Sequence, residues 1–201
     1  MTTPKGIATR RRIVEAAAAE IRERGTIVTT LDDVCRRSGT GKSQLFHYFP
    51  EGREQLLLAV TEFEAERVLD DQHPYLHELT SRTAWEAWRD VIVERCRNQG
   101  PHCPLGVLIA DVGRYGPAAR AVTTQLIRRW QDAVRDGIEA TQAAGEADPS
   151  LDADRMAAAV VTTIQGGVSV LLSTGSADHL EVALNLCLDH LLVADVRHGQ
   201  R

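Results

Sequence analysis

Apolar positions recur every three to four residues through most of this chain. Ile13, Ala17 and Ile21 step by four within residues 9–24, and Gly25 follows at the position that ends a helix. Thr30 precedes Leu31-Asp32-Asp33 in the spacing of a capping box, which opens a short helix that Gly39 closes. A second short helix is expected over residues 42–49, where Pro50 and Gly52 interrupt it. From Arg53 a longer helix carries Leu56, Val60 and Phe63 on its core face. Further helices are expected over 83–98, 105–115, 118–143, 152–175 and 178–195. The breaks fall at Gly100-Pro101, Gly116-Pro117, Gly145 to Pro149, and Gly175. No segment alternates convincingly with period two. The fold expected is all-α.

Within that pattern, Gly39 joins two short helices in the helix-turn-helix arrangement, whose second helix enters the DNA major groove. That second helix puts Lys42, Ser43, Gln44, His47 and Tyr48 on or near a polar side, with Leu45, Phe46 and Phe49 expected to face the first helix. The segment Gly39-Thr40-Gly41-Lys42-Ser43 also looks like the end of a phosphate-binding P-loop. That motif needs a glycine five residues before Gly41, where Arg36 stands, and a buried strand upstream. The upstream stretch Leu31 to Arg37 is too charged for a buried parallel strand. Lys42 is therefore read as a contact to DNA phosphate, and Gln44 as a base reader able to bind adenine bidentately.

The charge distribution agrees with this division. Residues 1–60 hold ten Lys/Arg against seven Asp/Glu, and residues 61–201 thirteen against twenty-one, so a head of +3 precedes a body of −8. Aromatic residues are only 4% of the chain, which favours helices over sheets. The four cysteines, at 35, 96, 103 and 187, have no C-x-x-C spacing and read as reduced thiols of a cytoplasmic protein. No apolar run follows the basic start, so no signal peptide is expected. Residues 156–177 carry no charge, yet their Thr, Gln, Gly and Ser content makes a buried bundle helix the expectation rather than a membrane span.

Residues 9–60 resemble the DNA-binding domain of the tetracycline-repressor (TetR) family of bacterial transcription regulators. The resemblance is carried by Arg12-Ile13-Val14-Glu15-Ala16-Ala17, Thr29 to Val34, Ser38 to Phe49, and Arg53-Glu54-Gln55-Leu56-Leu57. It implies a three-helix DNA-binding head, a larger helical ligand-binding body, and a homodimer joined through the last two helices. Two positions depart from the family pattern. Thr40 and Gly41 replace an apolar residue and a capping serine, so Thr40 is expected to cap the second helix instead. Phe46 replaces a tyrosine whose hydroxyl commonly meets phosphate, and Tyr48 is its expected substitute. Phe49-Pro50-Glu51-Gly52-Arg53 and Gly100 to Gly106 further resemble the lincomycin-resistance-repressor (LmrA-like) branch.

These readings divide the chain into a helix-turn-helix head (1–52) and a ligand-binding and dimerisation body (53–201). DNA contacts are expected from Thr29, Thr30, Thr40, Gly41, Lys42, Ser43, Gln44, His47, Tyr48 and Arg53, with Lys42 and Arg53 on phosphate. An effector cavity in the body is expected among Trp88, Cys96, Leu105, Leu108, Ile109, Trp130 and Gln165. Such apolar walls favour a neutral, apolar or aromatic compound, and Asp111 is the one evident anchor for a cation. Leu180, Leu184, Leu188 and Leu191, with Cys187 beside them, form a stripe suited to a bundle core or a dimer seam. His102-Cys103 and Cys96 lack the spacing of metal ligands, and no nucleophile stands beside a base, so no metal, cofactor or catalysis is expected. The partners expected are a double-stranded operator, a small-molecule effector and a second copy of the chain. The alternatives are an activator or an orphan regulator without a small ligand, or a helical small-molecule-binding or stress protein with a vestigial head.

Overall fold

The computed structural model describes residues 3–110 and 116–192, leaving out the side chains of Pro101, Ile109 and Ala110. Among the described residues the architecture is all-α. Nine helices follow one another: α1 (Pro4–Arg24), α2 (Leu31–Ser38), α3 (Lys42–Tyr48), α4 (Arg53–Asp70), α5 (Arg82–Gln99), α6 (Pro104–Ala110), α7 (Gly116–Ala143), α8 (Ala153–Thr174) and α9 (Asp178–Leu191). Helix α1 starts five residues earlier than its apolar spacing implies. Thr3 accepts the Gly6 amide at 3.2 Å and Pro4 occupies the first turn, where its missing N–H costs nothing. The expected helix 105–115 is described only as far as Ala110, and Asp111 lies outside the described residues.

The chain forms two compact units. The first comprises residues 1–68 with 101–126, and the second 69–100 with 127–201. In the first, Ile13, Ala17 and Ile21 of α1, Val34 of α2, Leu45 of α3, Phe49 just beyond it, and Leu56 and Val60 of α4 are all buried. A charged group accompanies them. Glu64 of α4 is fully buried, bonded to the Arg22 guanidinium, with Arg67 at 3.8 Å. The His102 ring bonds the Arg22 carbonyl through Nδ1 at 3.0 Å.

In the second unit, α8 packs along α9. Gly167 permits the close approach, since a Cβ there would stand 2.8 Å from the Leu180 Cα. Leu180, Leu184, Leu188 and Leu191 all point into this packing and are buried, so the leucine stripe is a bundle core. The outward side of α9 shows Val182 and Leu186 instead, 59% and 64% exposed. Helix α8 is the one described helix long and apolar enough to cross a bilayer, and 44% of that apolar window is buried inside the chain.

All three tryptophans are buried in the second unit, each with its indole N–H bonded. Trp88 and Trp130 both donate to Oε1 of the buried Gln72, at 3.1 and 3.0 Å. Trp85 donates to the Thr141 hydroxyl at 2.8 Å and stands edge-on to Trp88.

Candidate nucleic-acid interface

The recognition surface is built from the turn outward. Thr30 and Asp33 close the reciprocal capping box of α2. The Thr30 hydroxyl accepts the Asp33 amide at 3.2 Å, and the Asp33 carboxylate accepts the Thr30 amide at 3.0 Å. Gly39 ends α2 at φ 63°, in the left-handed region where a side chain would be strained. The Thr40 amide returns to the Cys35 carbonyl at 3.0 Å, which aims the chain into α3.

Thr40 does not cap α3. Gly41 occupies the N-cap without a side-chain bond, and the buried Thr40 hydroxyl pairs with Ser38 at 2.7 Å. A threonine one residue too early cannot reach the α3 amides. Leu45 and Phe49, four residues apart, share the buried side of α3 and its cap. Phe46 was expected there too, but it lies about 100° further around the helix and is 45% exposed. Lys42, Ser43, Gln44 and His47 are exposed, while Tyr48 is half-buried against the His47 ring, 5.0 Å between centroids.

The remaining expected DNA contacts are placed differently. Thr29 is buried, its hydroxyl donating to the Gly25 carbonyl at 2.8 Å. Thr30 is exposed, with its hydroxyl engaged in the capping box. Arg53 donates to the Thr29 carbonyl at 2.5 Å and also to the Thr26 carbonyl, so its guanidinium ties α4 to the α1–α2 loop. Lys42 pairs with Asp32 at 2.9 Å on the open surface, and that hydrogen bond pulls the ammonium pKa upward.

The Asp33 carboxyl is held well below the usual carboxylate range, chiefly by the Thr30 hydroxyl and then by the Thr30 amide, with Arg36 and Arg24 adding to the effect. A depressed carboxylate contributes stability above its unfolded pKa, about 3.9, which is lost as pH falls below that value toward the folded one. Asp33→Asn should therefore be less stable than the native chain at pH 7, and the gap in urea midpoint should narrow by pH 2.5. A gap independent of pH would show that the carboxylate charge is not what stabilises the cap.

The expected cavity residues divide between the units. Leu105 and Leu108 are buried in the first; Trp88, Cys96 and Trp130 are buried in the second, where Gln165 is half-buried. The side chain of Ile109 lies outside the described residues, as does Asp111. The polar group that meets the tryptophans is Gln72. Its position in the turn after α4 carries no sequence signal, being a lone amide between Asp71 and His73.

A capped helix, a glycine turn and a short helix with an exposed polar side define a helix-turn-helix DNA-binding regulator. Comparison with known proteins narrows the class. The model for bacterial regulatory proteins of the tetR family matches residues 13–60, and that for the tetracyclin repressor-like C-terminal domain matches residues 79–187, more than half of the chain. The chain belongs to the TetR family of transcriptional regulators. An uncharacterized HTH-type transcriptional regulator of Mycobacterium tuberculosis is 27% identical over 175 residues, spanning 79% of this chain and 81% of the relative. A TetR transcriptional regulator from Chloroflexus aurantiacus J-10-FL superposes with a TM-score of 0.75 at 26% identity, over 96% of this chain and 100% of that one. At 18% identity the fold alone is shared with SmeT, seen in complex with triclosan (TM-score 0.72, 94% and 93% covered).

Proposed function

We propose that this chain is a ligand-responsive repressor that binds a palindromic operator as a homodimer in the cytoplasm and is released by a small molecule. The observation that carries the reading is the outward side of α3, where Lys42, Ser43, Gln44 and His47 are exposed over a buried Leu45–Phe49 anchor. Gln44 reads base edges, with His47 and Tyr48 beside it. Lys42 exchanges Asp32 for a phosphate, with the uncapped start of α3 at Gly41 next to it. Thr29, Thr40 and Arg53 serve this surface from behind, by fixing the α1–α2 loop and the turn.

A two-fold operator needs two heads at fixed spacing. The exposed Val182 and Leu186, one turn apart on α9, supply an apolar seam for a second copy. Effector binding belongs to the body, with Trp88, Cys96, Trp130 and Gln165 of the second unit as its walls, and SmeT with triclosan is a precedent for a small molecule on this fold. The apolar character of those walls favours a neutral or aromatic ligand. A ligand that binds better to the conformation with mismatched heads would release the operator. The motifs Phe49 to Arg53 and Gly100 to Gly106 support placement in the LmrA-like branch.

Selection of bound sequences from random DNA tests the reading, and the expected product is a pair of inverted half-sites. On that operator Lys42→Ala should weaken binding to all DNA alike and reduce the salt slope by about one unit per lost phosphate contact. A variant with altered sequence choice and an unchanged slope would remove Lys42 from the phosphate role. Enrichment of no sequence at all would favour a small-molecule-binding protein with a vestigial head.

A further inference from the structure

The head carries an excess of positive charge, and its ion pairs show where that excess resides. Arg11 is paired with Glu15, Arg24 with Glu20 and Asp33, Arg36 with Asp33, Arg37 with Glu20 and Glu23, and Lys42 with Asp32. Arg22 is committed to the buried Glu64, and Arg53 to two backbone carbonyls. Among the described residues of the head, the cations left without a carboxylate or carbonyl partner are Lys5, Arg10 and Arg12. All three are exposed, and all three lie on the first three turns of α1. No acidic residue precedes Glu15, and the head acids without an ion pair, Glu51 and Glu54, stand at the start of α4.

This basic segment is continuous with the recognition helix. The Arg10 guanidinium lies 5.1 Å above the ring of Phe49, the residue that caps α3 immediately after Tyr48. Lys5 and Arg12, seven residues apart, return to nearly the same side of α1, about 10 Å apart along its axis. The Thr3 cap and Pro4 hold these turns in a helix, so the cations are presented on a rigid element. The matched family segment begins at residue 13, so this surface precedes it.

We propose that Lys5, Arg10 and Arg12 form a second DNA contact, gripping the sugar-phosphate backbone beside the major groove that α3 enters. The inference rests on the regulator reading. An exposed cation with no ion pair gives up no carboxylate when it meets a phosphate, whereas Lys42 must first release Asp32. The contact adds affinity and salt dependence without sequence preference, because phosphates are alike at every base pair.

The test uses the full chain and the operator obtained by selection. Lys5→Ala/Arg10→Ala/Arg12→Ala should make the slope of log K against log salt shallower by roughly five units, from about 0.9 for each of six contacts in a dimer. Base preference should stay unchanged. Lys5→Arg/Arg10→Lys/Arg12→Lys, which keeps the charges, should keep the slope. Arg120→Ala/Arg128→Ala/Arg155→Ala removes the same charge from exposed positions of α7 and α8 and should change the slope by less than one unit. Helix content by circular dichroism confirms that the variants fold. An operator slope unchanged in the α1 variant, or an equal loss in the α7/α8 control, would overturn the N-terminal contact and leave the regulator reading standing. A native chain that binds no DNA would overturn both.

Discussion

Replacing Glu64 by alanine is expected to lower the unfolding free energy of the first unit by about 3–5 kcal/mol, the cost of removing one partner from a buried ion pair. Glu64 is fully buried, and the side chain of its main partner, Arg22, is 17% exposed. Without the carboxylate, the Arg22 guanidinium loses its partner and has little water to solvate it. Arg67, at 3.8 Å and one-third exposed, can turn outward and loses little. The residual exposure of Arg22 places the expected cost toward the lower end of the range. Removing both partners should cost much less, because Arg22→Met/Glu64→Leu replaces the pair by packed apolar groups. Urea unfolding followed by circular dichroism measures the change. Equal destabilisation by the single and double variants would mean that the volume of Glu64, and not its charge, sustains the packing.

The second large effect is expected at the DNA surface. Gln44→Ala should cost about 1–3 kcal/mol in each half-site, hence about 2–6 kcal/mol for a dimer on its operator, since well-separated positions add. The side chain is exposed in the first turn of α3, where nothing in the fold depends on it, so the loss should appear in binding and not in stability. It should also be confined to one symmetric pair of base positions. Operators substituted at each position in turn, titrated against both proteins, will show this. The native chain should discriminate at that pair and the variant should not. Discrimination retained at every position would transfer base reading to His47, Tyr48 or the exposed Phe46, which can meet a thymine methyl.

The two variants concern features of very different visibility in the sequence. The recognition unit is encoded locally. A capping box, a glycine with positive φ and an i, i+4 pair of apolar residues are interactions among neighbours, so Thr30, Gly39, Leu45 and Phe49 could be placed from spacing alone. The helices of the body were legible for the same reason, and so was the all-α class. The family pattern added the order of these pieces.

What the tertiary structure alone decided are the pairings between distant residues. Gln72 meets Trp88 across 16 residues and Trp130 across 58, and neither spacing has a period that marks it. Arg53 looks like a phosphate ligand in a basic head, yet its guanidinium reaches carbonyls 24 and 27 residues earlier. The leucine stripe of α9 suited a core and a dimer seam equally well. Burial against α8 assigned it to the core and left Val182 and Leu186 facing outward. The head charge of +3 could be counted from composition, but it became a surface only when folding matched the other cations to carboxylates or, for Arg53, to backbone carbonyls and left Lys5, Arg10 and Arg12 over. Short-range spacing determines which residues share a helix face. Only the packed chain determines what that face meets, because a side chain's partner depends on which distant segment arrives beside it.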